Sequence, residues 1–168
     1  MGRWRPPADK SSPYITGQGH AALRQELDDI WKRRREVTRH LAAAAAEGDR
    51  SENAEYIYRK KELRELDRRI RYLQKRLPEL KVVDMPPADR NSVYFGAWVR
   101  LEKESGTEPV VCRIVGGDEL TADKRHISVD SPMAKVLLGK SLDDEVSVVT
   151  PAGETRYCII EIEYEESV

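Results

Sequence analysis

The stretch Leu63-Arg64-Glu65-Leu66-Asp67-Arg68-Arg69-Ile70-Arg71-Tyr72-Leu73-Gln74-Lys75-Arg76-Leu77-Pro78-Glu79-Leu80 decides the fold of the first half of the chain. Leu63, Leu66, Ile70, Leu73, Leu77 and Leu80 recur at alternating steps of three and four. That is an a/d heptad seam, and it predicts a helix with one apolar stripe. Tyr56 and Arg59 extend the seam backwards. Pro78 has no amide hydrogen and ends or kinks the helix near Leu77. Upstream, Leu23, Leu27, Ile30, Val37, Leu41 and Ala44 occupy the same kind of positions, with Arg34 at the one skipped a site. Thr16 reads as an N-cap for this first helix. No proline interrupts Gln18 to Glu47, and Ala42 to Ala46 is an alanine run of high helix propensity. Between the seams, Gly48-Asp49-Arg50-Ser51 suffices only for a tight reversal. Two apolar seams joined by so short a turn predict an antiparallel coiled-coil hairpin over residues 14–81. Helices of about 30 residues rise roughly 45 Å.

Downstream the pattern changes. Residues 82–90, VVDMPPADR, read as a proline-rich linker. Val93–Glu102, Val110–Val115, His126–Val129, Glu145–Thr150 and Thr155–Tyr164 are β-rich runs, and Pro151-Ala152-Gly153-Glu154 reads as a hairpin turn. Ser131 caps, and Pro132 opens, a short helix Met133–Leu138 that Gly139 closes. The expected class is α+β: a short flexible tail (1–13), the hairpin, the linker, and a small, mostly antiparallel sheet with one helix over 91–168.

Composition narrows the function. The chain has 168 residues, 35% of them charged, and a net charge of −1. That balance hides a division. Residues 1–81 hold 20 Lys+Arg against 13 Asp+Glu, a net of +7; residues 82–168 hold 9 against 17, a net of −8. The first half suits a polyanion and the second suits a protein surface. No run of eighteen apolar residues exists, and the N-terminus lacks the apolar stretch of a secretory signal, so no membrane partner is expected. Two cysteines and three scattered histidines offer neither a disulfide framework nor a zinc site, which suits a reduced, cytoplasmic compartment.

The common catalytic templates (GxGxxG, P-loop, HExxH, GxSxG) are absent. Carboxylates are the remaining candidates. Asp49 and Glu52, three apart at the reversal, admit two readings. They fit a capping box, or they are two oxygen donors on an exposed point, half of a Mg²⁺ site whose remainder another protein supplies. Lys61, Arg64, Arg68, Arg71 and Lys75 share one outer face of the second helix with no acid among them, and Lys60 and Arg69 lie beside it. This stripe is either a solvated coiled-coil face, laced by pairs such as Glu65 with Arg69, or a phosphate-binding surface. Aromatics do not interleave it, which argues against base stacking. Asp130-Ser131-Pro132-Met133 is either a helix N-terminus with an exposed methionine or a protein-docking patch.

Asp49-Arg50-Ser51-Glu52-Asn53-Ala54-Glu55-Tyr56-Ile57-Tyr58, Lys60-Lys61, Leu63 to Leu73, Leu80 to Asp84, Phe95 to Val99, Arg113 to Gly116 and Ile127 to Ala134 together resemble the Gre transcript-cleavage factors of bacteria, with the best match to the GreB type. The resemblance runs over about residues 14–164. It implies a coiled-coil hairpin followed by a globular domain like the FK506-binding proteins. It implies a monomer, not itself an enzyme, whose hairpin enters the secondary channel of RNA polymerase while Asp130, Ser131, Pro132 and Met133 dock on the β′ subunit. It implies that Asp49 and Glu52 help hold a Mg²⁺ shared with the polymerase active site, and that the backtracked RNA 3′ end is then cut. Ser51 and Asn53 are implied auxiliaries that orient water or nucleotide. Lys60, Lys61, Arg64, Arg68, Arg71 and Lys75 are implied RNA contacts. A non-catalytic regulator bound in the same channel is the alternative. Asp143 stands where the family usually has Gly before Asp144-Glu145-Val146.

Overall fold

The computed structural model describes residues 11–46, 53–106 and 108–165. They form two compact units: residues 18–80, and the residues before 18 together with 81 onward.

The first unit is a helical hairpin of α1 (Gly17–Ala46) and α2 (Ala54–Arg76). Its antiparallel register is written in the cross-helix bonds. As numbers rise along α1 they fall along α2: Glu26 meets Arg69, Arg33 meets Glu62, and Ala44 meets Asn53. The seam residues face inward. Leu23, Val37 and Ala44 of α1 and Ile70 and Leu73 of α2 are buried, and Leu27, Ile30, Leu41, Leu63 and Leu66 are half-buried. The skipped a site explains itself here. Arg34 is half-buried in the seam and its Nε donates to Asp67 Oδ1 at 2.6 Å. Arg33 and Arg59 both donate to Glu62. Burial raises the Glu62 carboxyl, and the two guanidiniums outweigh that, holding it below the ordinary range. α2 stops at Arg76, and the chain tightens into a 3₁₀ turn, Leu77–Glu79, around Pro78.

The second unit begins before the hairpin. Strand β1 (Tyr14–Thr16) runs parallel to β2 (Lys81–Val83), so residues expected at the start of the hairpin and in a linker form a two-stranded ladder. The expected tail lies outside the described residues as far as Lys10; beyond it, the Ser12 amide donates to Asp130 Oδ2 at 2.8 Å. The main sheet holds β3 (Trp98–Lys103), β4 (Val110–Val115), β5 (His126–Ser128), β6 (Glu145–Thr150) and β7 (Gly153–Glu163) in the order β5-β4-β3-β7-β6. All neighbours are antiparallel except β4 and β5. The expected strand from Val93 starts only at Trp98, because Gly96 sits at φ +88° and the Ala97 amide turns back to the Tyr94 carbonyl. Between β3 and β7 the register skips Ile160, a bulge that leaves this isoleucine exposed.

Helix α3 (Pro132–Leu137) covers one face of the sheet, with Ala134 and Leu137 fully buried among Val99, Leu101, Ile114 and Ile159. Cys112 lies in the same core, and burial pushes its thiol up to about 11. It is a small apolar side chain, not a nucleophile. Asp143, at φ +66°, is the one left-handed non-glycine among the described residues. Asp143→Gly is expected to stabilise this unit by up to about 1 kcal/mol, because an L side chain is disfavoured there. A higher melting temperature checks it, and an unchanged or lower one refutes it.

Candidate functional site

α2 is the element that assembles the candidate site. At about 100° per residue, Lys60, Lys61, Arg64, Arg68, Arg71 and Lys75 all fall within roughly a 100° arc on the side away from the seam, over about 22 Å. All six are exposed, and among the described residues none has a carboxylate partner. Arg71 Nε donates to its own helix at the Asp67 carbonyl, and Lys60 Nζ lies 5.7 Å from the Tyr56 ring centre. The cations that do pair lie off this arc. Arg59 holds Glu55 and Glu62. Arg69, expected to pair with Glu65, reaches across the hairpin to Glu26 with bonds of 2.7 and 2.8 Å. The fold thus neutralises the arginines beside the seam and leaves the outer stripe uncompensated. Such a face repels itself and attracts phosphate.

Asp49, Ser51 and Glu52 lie outside the described residues, as does the reversal 48–51. What is described is where α2 begins, and it corrects the capping reading. The N-cap is Asn53, whose Oδ1 accepts the Tyr56 amide at 3.1 Å. Asp49 and Glu52 therefore stand upstream of a helix start that another residue caps. The Asn53 Nδ2 donates to the Ala44 carbonyl at 3.2 Å, so one carboxamide ties the end of α1 to the start of α2. The expected role for Asn53, orienting water or nucleotide, meets a side chain already committed to main chain on both sides. Asn53→Ala is expected to lower hairpin stability by about 1 kcal/mol, the usual loss for an N-cap, and Asn53→Asp to recover most of it. Loss of helical circular dichroism on heating reads this out, and an unchanged Ala variant would remove the cap assignment.

Asp130, Ser131, Pro132 and Met133 belong to the second unit. Ser131 Oγ accepts the Ala134 amide at 3.2 Å, Pro132 opens α3, and Asp130 holds the Ser12 amide. Met133 is half-buried against the core rather than exposed. Asp130 and Pro132 are the exposed members of this patch.

Two features escaped the sequence. Glu119 is a buried carboxylate that accepts the Thr16 hydroxyl, the Thr16 amide at 3.1 Å and the Gly116 amide at 2.8 Å. Gly116 is needed beside it, since a Cβ there would come within 2.2 Å of the Tyr14 carbonyl oxygen. Thr16, expected to cap α1, donates its hydroxyl to this carboxylate. Nothing local marks Glu119 among the many acids of this half. The second feature is tyrosine exposure along α2: Tyr58 and Tyr72 border the basic arc, where aromatic side chains were not expected.

Among the described residues no three His, Cys, Asp or Glu side chains gather as a metal site. The carboxylates of Asp49 and Glu52 would offer Mg²⁺ hard oxygens of the right kind but only a fraction of its six ligands.

The N-terminal model of the GreA/GreB transcription elongation factors matches residues 13–82, and their C-terminal model matches residues 87–164. Transcription elongation factor GreB of Xanthomonas axonopodis is 57% identical over 165 residues, covering 98% of each chain. GreB of Pseudomonas aeruginosa is 58% identical over 165 residues, again covering 98% of each. Among solved structures, GreA factor homolog 1 of Thermus thermophilus aligns with a TM-score of 0.41 at 26% identity, over 89% of this chain and 97% of that one.

Proposed function

Because the chain belongs to the GreA/GreB family of transcription elongation factors, and to its GreB type, we propose that it binds RNA polymerase through the secondary channel and stimulates cleavage of the backtracked RNA 3′ end. The observation that supports this reading is the exposed basic stripe of α2, which follows two acids in the sequence. α2 starts two residues after Glu52 and five after Asp49 in the sequence, and it carries a stripe of six exposed cations with no carboxylate partner among the described residues. The acids would offer oxygen donors, and the stripe offers a path for a polyanion.

In this proposal the stripe and the acids have different tasks. Lys60, Lys61, Arg64, Arg68, Arg71 and Lys75 hold the extruded RNA by its phosphates and so bring the strand along the hairpin. Asp49 and Glu52 would hold the second Mg²⁺, shared with the polymerase active site; when bound, that ion polarises the attacking water and offsets charge on the scissile phosphate. Asn53 keeps the end of α1 and the start of α2 together. Asp130 and Pro132, with Ser131 and Met133 supporting them, meet the polymerase β′ subunit. The chain is not a nuclease in this account, since its donors complete another protein's centre.

The test is direct. The purified chain is added to a backtracked polymerase complex with Mg²⁺, and the RNA is examined for loss of its 3′ segment and resumed elongation. Shortened 3′ products are the expected result. Binding without cleavage would overturn the reading in favour of a channel-bound regulator.

A further inference from the structure

We propose that Tyr58 and Tyr72 form a nucleobase-stacking track beside the basic stripe, so that the hairpin grips single-stranded RNA by its bases as well as its phosphates. This rests on the RNA contact proposed above and adds a second chemistry to it.

Tyr58 is 62% exposed and Tyr72 43% exposed, both well outside the seam. They are fourteen residues apart, close to four turns or about 21 Å, and so lie on the same side of α2. That side borders the cations. Tyr72 follows Arg71 and stands one turn from both Arg68 and Lys75; Tyr58 stands one turn before Lys61. Each ring has a guanidinium against it. Arg59 is 5.6 Å from the Tyr58 centroid and Arg69 is 5.2 Å from that of Tyr72. Both arginines are anchored, Arg59 on Glu55 and Glu62 and Arg69 on Glu26, so they restrain the rings they touch.

Both rings keep a large exposed surface, and a flat ligand would find them held in place by their arginines. The neighbouring charge selects the ligand. A partner lying along this face must bring several negative charges to six cations that have no carboxylate partner among the described residues, and flat apolar groups to two rings. A single strand of nucleic acid has both in every unit, and stacking is tolerant of sequence because every base has a π face.

The experiment measures binding of the full chain to a short fluorescent single-stranded RNA, across a salt series, by anisotropy. A ribose-phosphate oligomer of the same length without bases is run beside it. Tyr58→Leu and Tyr72→Leu are each expected to weaken RNA binding about fivefold or more at every salt concentration, leaving the salt slope unchanged. Tyr→Phe at either position should bind as wild type. The Leu variants should bind the base-free oligomer as wild type does. Changing Arg64, Arg68 and Arg71 to Ala should flatten the slope for both ligands. Leu variants that bind RNA normally, or that lose the base-free oligomer equally, overturn the stacking track and leave the stripe standing. A wild-type chain that binds neither ligand overturns track and stripe together, while the role of Asp49 and Glu52 is judged separately by cleavage. Helical circular dichroism of each Leu variant, set against its Phe counterpart, separates lost stacking from lost folding.

Discussion

Replacing Asp49 with Asn and Glu52 with Gln together is expected to reduce stimulated cleavage of a backtracked complex by about a hundredfold or more, the scale on which a single preorganised electrostatic contact to a reacting phosphate or oxyanion is felt. The amides keep the shape of the acids but carry no charge, and they hold Mg²⁺ poorly because it prefers charged, hard oxygens. The fold makes this a clean experiment. α2 is capped by Asn53, which the double variant leaves in place. The stripe and the Asp130–Met133 patch are untouched, so competition with labelled wild-type chain for polymerase should be unchanged. Loss of cleavage with retained binding supports donation of ligands by Asp49 and Glu52. Undiminished cleavage would show that the acids are not the donors.

The second large effect concerns stability. Glu119→Ala is expected to destabilise the sheet unit by roughly 3 kcal/mol or more. It strands three donors at once, the Thr16 hydroxyl and the amides of Thr16 and Gly116, in a place with little water to replace the carboxylate. Each buried donor left unmet costs about 1–3 kcal/mol, and bonds to a charged acceptor lie towards the upper end. Glu119→Gln should fall between wild type and Ala, because one acceptor oxygen survives while the new NH₂ faces donors. Thermal unfolding followed by a signal from the sheet, such as the near-ultraviolet signal of Trp98, reads this out separately from the helical signal of the hairpin. An Ala variant that melts with wild type would show that the carboxylate is not needed where it sits.

The hairpin was legible because its instructions are local. Each seam position is set by residues three and four away, and every one from Leu23 to Ala44 and from Tyr56 to Leu73 is at least half-buried in the structure. Ser131 and Pro132 begin α3 as their types demand. The stripe followed from the same period, since a helix whose one face is spoken for must present the opposite face to water. The cap was misjudged for a local reason too. Asp49-x-x-Glu52 and Asn53 are all acceptable starts, and only the geometry of the chain around Tyr56 chooses Asn53.

What the sequence determined by itself, then, is two helices, their seam, one basic face, and a run of strands and turns; these depend on side-chain order within a turn or two of helix or along a strand. Only the tertiary structure decided that Tyr14–Thr16 lies along Lys81–Val83, that Glu119 receives Thr16 from 103 residues away, and that Arg69 answers Glu26 instead of a neighbour. Those choices weigh closure of long loops against burial of a few polar groups, and each is made by the packing of the whole unit. No single stretch of the chain contains both sides of that balance.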